Sequence, residues 1–165
     1  MIDLGETAMT REEIDAYLRE DGRFAALASV RKDGSPFVIP MGYHYDGEYL
    51  YFSTTPRRGL TARLRRDPRV SVAVFDNEPI HGYVLVNDRA DEIPDPDHVL
   101  SMAMHRRYPK PGIPDQEEHD RLWLSHGRVV FRVPTRGAFG MDQRKATSTD
   151  SLALPDRRAP RSSGR

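Results

Sequence analysis

Between Ser53 and Thr61 the chain reads STTPRRGLT, with the hydroxyls of Ser53, Thr54, Thr55 and Thr61 around the guanidiniums of Arg57 and Arg58. Hydroxyls donate to phosphate oxygens, and the planar fork of arginine matches such oxygens in pairs. A helix that starts near Gly59 adds N-terminal amides and the favourable end of its dipole. The chemistry is the holding of an anion, and Thr54, Thr55, Arg57, Arg58 and Thr61 are the residues expected to hold a phosphate-bearing ligand. The competing reading makes Arg57, Arg58, Arg63, Arg65 and Arg66 a solvated helix face paired with nearby acids.

Other chemistries have little support in the residues. The chain has no cysteine, which excludes disulfide frameworks, thiolate nucleophiles and thiolate-bound metals. No HExxH, GxSxG or phosphate-loop pattern occurs, and Gly34, Gly47 and Gly59 fall in turns rather than in a GxGxxG series, so hydrolase and nicotinamide-binding readings lose their usual motifs. His44 and His81 are either proton donors at the rim of a groove or ordinary surface histidines. His98, His105, His119 and His126 form no i, i+4 pair, and no metal site is expected. Trp123, Tyr108, Met102 and Met104 either line a pocket or pack a core.

The elements that must position these groups can be read from the pattern. Thr10 and Glu13 form a capping box ahead of Ile14, Tyr17 and Leu18, which predicts a helix to about Glu20. RFAALASVR from Arg23 predicts a strand closed by Asp33-Gly34, and PFVIPMGYHYD predicts a second strand closed by Asp46-Gly47. EYLYFST follows as a third strand, with Tyr49, Tyr51 and Ser53 alternating against Leu50 and Phe52. Pro36 and Pro40 lack amide donors and place strand two at an edge or a bend.

After a short helix stopped by Asp67-Pro68 come strand RVSVAVFD, a turn around Asn77 to Pro79, and strand HGYVLVNDRADEI. Two helical stretches, DPDHVLSMAMHRRY and QEEHDRLWLSH, flank a proline-rich loop and lead to a sixth strand, GRVVFRV. Residues 142–165 hold no aromatic residue and are expected to form a disordered tail behind a domain of residues 1–141.

Six antiparallel strands with few helices predict a mainly β fold, a small closed or split barrel that escapes exposed edges by curling. Side chains fill the inside of such a barrel, so a ligand belongs in a groove outside it, most simply between two copies in a homodimer. The 165 residues suit one domain, and 25 basic residues balance 25 acidic ones, which argues against nucleic acid and anionic membranes as partners. No leader or apolar span is evident. A cytoplasmic protein is expected.

The stretch DGSPFVIPMGYHYDGEYLYFSTTPRRGLTARLRRDPRVSVAVFD, with Pro36-x-x-x-Pro40, the tyrosine-rich third strand, the arginine turn and the run Arg65 to Val70, resembles the flavin and deazaflavin oxidoreductases related to pyridoxamine 5′-phosphate oxidase. Within that superfamily it is most similar to the branch that uses coenzyme F420. The later strand, the helical pair and GRVVFRV fall in the family's order, so the resemblance spans roughly residues 10–141. It implies a six-stranded antiparallel split barrel of the FMN-binding type, working as a homodimer on a small-molecule substrate. It also implies a phosphate near Thr54, Thr55, Arg57, Arg58 and Thr61, and a cofactor ring along Val38, Ile39, Pro40 and Met41.

The resemblance implies hydride transfer from F420, or from FMN, to a small conjugated acceptor, with no catalytic side chain specified. The alternative is a protein that holds the flavin or deazaflavin without turnover. Leu60 stands where many members carry a lysine, and Arg58 is the residue placed to take over that charge.

Overall fold

In a computed structural model the described residues are 5–76, 81–108, 112 and 115–146. The turn expected around Asn77 to Pro79, most of the proline-rich loop, and residues 147–165 of the expected tail lie outside them. Helix α1 (Arg11–Arg19) opens on the anticipated capping box, in which the Thr10 N–H donates to Glu13 Oε2 at 2.6 Å and the Glu13 N–H to Thr10 Oγ1 at 3.3 Å. Its apolar stripe of Ile14, Tyr17 and Leu18 is buried.

The strands are β1 (Phe24–Val30), β2 (Pro36–Met41), β3 (His44–Tyr45), β4 (Tyr49–Thr54), β5 (Arg69–Phe75), β6 (Gly82–Arg89), β7 (Asp91–Ile93), β8 (Val129–Pro134) and β9 (Phe139–Asp142). They form a five-stranded sheet in the order β2-β1-β5-β6-β9 and a four-stranded sheet in the order β3-β4-β8-β7. All their pairings are antiparallel. Helix α2 (Gly59–Arg66) joins β4 to β5, while α3 (Val99–Arg107) and α4 (Gln116–Ser125) lie between β7 and β8.

The mainly β split barrel expected from the sequence is what the chain forms. The strand count differs from six because two long runs cross between sheets. PFVIPMGYHYD ends β2 at Met41 and resumes as β3 in the other sheet, and HGYVLVNDRADEI turns the same way at buried Ala90. At the first crossing Gly42 lies flat against the Tyr108 ring, where an added Cβ would sit 2.5 Å from a ring carbon. The Asp-Gly turns form as expected, with Gly34 and Gly47 at φ +84° and +113°, values glycine reaches without strain. Strand β9 was not anticipated, since four residues containing Gly140 give too short an alternation to stand out.

The core lies between the inner faces of the two sheets. Leu27, Val72, Val74, Val84 and Val86 meet Leu50, Phe52, Phe131 and Val133, with Leu18 of α1 and Leu60 and Leu64 of α2 closing the ends. Helix α3 covers part of the outer face of the four-stranded sheet, packing Met104 and Leu100 with Tyr51 and Val130. The outer face of the five-stranded sheet is apolar and partly open. Its register aligns Pro40, Ala26, Ala73 and Leu85 in one row and Val38, Ala28 and Ser71 in another, and Val38 is 57 % exposed.

Strand β9 reaches one residue beyond 141. Asp142 pairs with Gly82 in β9, and a short turn, Gln143–Lys145, follows. The Lys145 ammonium lies 2.7 Å from Glu13 Oε2 and 2.6 Å from the Ala8 carbonyl oxygen. No described helix is long and apolar enough to cross a membrane.

Candidate functional site

The hydroxyl and arginine cluster forms the turn between β4 and α2. Thr54 ends β4 and is buried, Thr55 is half-buried, and Arg57 and Arg58 are exposed. The Arg58 N–H donates to the Thr55 carbonyl at 3.1 Å, and the fully buried Thr61 hydroxyl donates to the same oxygen at 2.7 Å. Thr61 therefore fixes the shape of the turn from inside the helix. Arg57 and Arg58 are solvated, as the competing reading has it, but among the described residues no carboxylate pairs with either, so the acid-paired part of that reading does not describe them. It does describe Arg65, whose guanidinium meets Glu92 at 2.7 Å.

Strand β2 carries Val38, Ile39, Pro40 and Met41 at the edge of the five-stranded sheet. Val38 and Pro40 are exposed on the outer face, while Ile39 and Met41 pack against the core. A residue that the sequence reading placed only on the solvated helix face, Arg63, ties this strand to α2. The Arg63 guanidinium carbon lies 4.1 Å from the centroid of Phe37, and Arg63 Nε donates to Ser29 Oγ at 3.0 Å. Burial, then the charges of Arg31 and Arg66, push the Arg63 guanidinium below its ordinary pKa.

An unanticipated residue approaches the turn from the other sheet. Arg128 lies between α4 and β8, its guanidinium carbon 3.5 Å from the Trp123 ring centroid and its Nε donating to Ser53 Oγ at 3.0 Å. Burial, then the charge of Arg58, push its pKa down to about 10. Gly127 beside it packs on Pro56 of the turn. Neither arginine had a local signal in the sequence, because the partners of each come from distant elements.

Leu60 is buried in the core, so it offers no surface for a ligand. His44 sits on β3 of the four-stranded sheet, beside Tyr51, and not on the sheet that carries Val38 to Met41. Its pKa is lowered, chiefly by burial and then by the charge of Arg107, which keeps it neutral at pH 7. The His81 N–H donates to Asp76.

The helical histidines, separate in sequence, converge in space. His105 of α3 stacks on His119 and Trp123 of α4 at centroid distances of 4.8 and 4.5 Å, and its Nε2 lies 3.0 Å from Asp120 Oδ1. This ladder of rings supports Trp123 beneath Arg128. Met104 is core and Tyr108 braces the crossing at Gly42, so the packing reading holds for both. A cavity lined by Leu64, Arg65, Arg89, Glu92 and Phe131 lies at the far end of α2 and includes none of the expected site residues.

A model of the pyridoxamine 5′-phosphate oxidase family matches residues 10–131. The chain belongs to that family. A solved F420 reductase is 31 % identical, with 72 % of this chain and 90 % of that one aligned at a TM-score of 0.56. A FAD-binding protein of Mesorhizobium loti is 28 % identical over 81 % of this chain and 93 % of its own, at 0.57. A conserved hypothetical protein of Mycobacterium tuberculosis shares the fold over 99 % of this chain and all of its own, at 24 % identity and a TM-score of 0.71.

Proposed function

We propose that this chain is an oxidoreductase that binds F420, with FMN as the competing cofactor, and moves a hydride onto a small conjugated acceptor. The observation that carries this reading is the exposed Arg57–Arg58 turn, unpaired among the described residues, on a helix that Arg63 ties to strand β2 through Phe37. One end of that connection suits a phosphate and the other is an apolar strand edge that suits a planar ring. The F420 reductase among the similar structures supports the choice of cofactor.

The residues present fit such a group. Arg57 and Arg58 would hold its phosphate with Thr54 and Thr55, and Thr61 keeps the turn in shape from beneath. Val38, Ile39, Pro40 and Met41 would flank its ring. Once bound, a deazaflavin or flavin carries the hydride itself. The protein's part is to orient the ring, hold the phosphate and keep water away, which needs no catalytic triad.

The working form in this reading is a cytosolic homodimer. The partly open apolar rows on the five-stranded sheet support it, since exposed patches of this kind mark interaction surfaces. In a dimer Val38 lies next to the second copy, and the ring site gains a wall.

Titration of the purified protein with F420, followed by fluorescence polarisation, tests the cofactor. Saturable binding with turnover of an enone or quinone panel is expected. Co-purified yellow FMN would move the assignment to flavin, binding without any turnover would leave a sequestering protein, and binding of neither would end the proposal.

A further inference from the structure

We propose that Arg128 is a second oxyanion-holding position, set beyond the turn on the side of the four-stranded sheet, for a ligand whose negative charge does not end at its phosphate. The inference deepens the proposed function and rests on it for the identity of the whole ligand. Its test uses oxyanions alone, so the two can fail separately.

The argument starts from what holds Arg128 in place. One face of the guanidinium is covered by Trp123 at 3.5 Å, and Nε is used by Ser53 Oγ at 3.0 Å. Trp123 is itself braced by His105, which stacks on His119 and meets Asp120. The side chain is thus fixed in orientation, with the two Nη groups left over. No carboxylate among the described residues pairs with it, and the charge of Arg58 acts on it repulsively.

The Trp123 stack and the Ser53 bond offset part of the cost of half-burying this cation beside a second one, and neither of them uses its Nη groups. A fixed fork with free Nη donors is the arrangement that binds a carboxylate or phosphate edge in pairs. The position follows from topology. Arg63 links the α2 helix to the five-stranded sheet and β2, whereas Arg128 meets the same turn from the four-stranded sheet. A ligand with its ring along β2 and a phosphate at Arg57–Arg58 would reach Arg128 only with the part furthest from the ring.

Trp123 is the chain's single tryptophan, so its emission reports on this position alone. Full-length protein is titrated with inorganic phosphate, or with glutarate as a dicarboxylate, against sodium chloride at matched ionic strength. A saturable change in emission with either oxyanion, its half-saturation raised at least about tenfold in Arg128→Gln, is expected. The more effective of the two tells a phosphate ester from a carboxylate.

Arg128→Lys keeps the charge but loses the Ser53 bond and the flat stack, and should bind about threefold more weakly than the native protein. It carries the test should Arg128→Gln fail to fold by circular dichroism. A response no different from sodium chloride, or an unchanged half-saturation in Arg128→Gln, overturns the assignment. So does a loss in Arg128→Lys no larger than scatter.

Discussion

Arg63 stacks on Phe37, its guanidinium carbon 4.1 Å from the ring centroid, and so couples the helix that carries the arginine turn to the edge strand β2. The contact joins residues on opposite sides of the β3–β4 hairpin, and its Nε bond to Ser29 adds a third element. Replacing Arg63 with alanine is expected to destabilise the fold by about 1–2 kcal/mol, the sum of a cation–π contact and one hydrogen bond. Urea unfolding measures this. A loss below the error of the method would show that the stack is incidental.

Arg57 and Arg58 are exposed and unpaired among the described residues, so removing them should leave stability alone. The double replacement Arg57→Ala with Arg58→Ala is expected to keep the melting temperature within about 2 °C while weakening cofactor binding at least about tenfold. An unchanged cofactor titration would retire the phosphate assignment.

Leu60 tests whether the missing lysine is simply interchangeable. Because the side chain is buried between α2 and the sheets, Leu60→Lys puts an ammonium into the core. A destabilisation of about 2–4 kcal/mol is expected instead of tighter cofactor binding. A stable variant with raised affinity would mean that the helix turns to expose this position.

Asp76 predicts an acid limit. Burial pushes its pKa up, but hydrogen bonds from Arg23 and Tyr17 and from the His81 N–H outweigh burial and leave it below the ordinary value. A carboxylate depressed in the folded state contributes stability above its unfolded pKa of about 3.9, and that stability is lost as pH falls through the lower folded value. Asp76→Asn, which leaves the buried Arg23 guanidinium 2.9 Å away to Glu20 and the Tyr17 carbonyl, is expected to cost about 1–2 kcal/mol at pH 7. Its stability should then fall less than that of the native protein between pH 5 and pH 2, a span of about 3 units around that value. Parallel acid titrations of stability would refute the role.

Two truncations locate the end of the domain. Removing residues 142–165 is expected to cost about 1–2 kcal/mol more than removing 147–165, because only the longer cut takes the Gly82 pairing and the Lys145 contacts with Glu13 and Ala8. Equal melting temperatures would place the boundary at residue 141.

Local pattern carried most of the fold. The capping box at Thr10, the alternation of β1, β4 and β5, and both Asp-Gly turns lie within a few residues of chain, where backbone preference and side-chain period act directly. Crossings between sheets are decided by partners far away, so the break at Gly42 was invisible without Tyr108, and β9 without β6. The site divides the same way. The turn could be found because its residue types are concentrated in one stretch, whereas Arg63 and Arg128 acquire meaning only from Phe37, Ser29, Trp123 and Ser53. Thr61 was picked out for its hydroxyl, and the structure uses that hydroxyl to fasten the turn.

The phenol oxygen of Tyr108 accepts from the Tyr43 N–H at 3.0 Å and donates to the Arg23 carbonyl at 2.7 Å, while its ring lies against Gly42. A methyl group at 42 and an intact tyrosine at 108 cannot occupy the same space. Homologues that retain this arrangement should therefore change those two sites jointly or not at all, a covariation that an alignment can reveal without any assay.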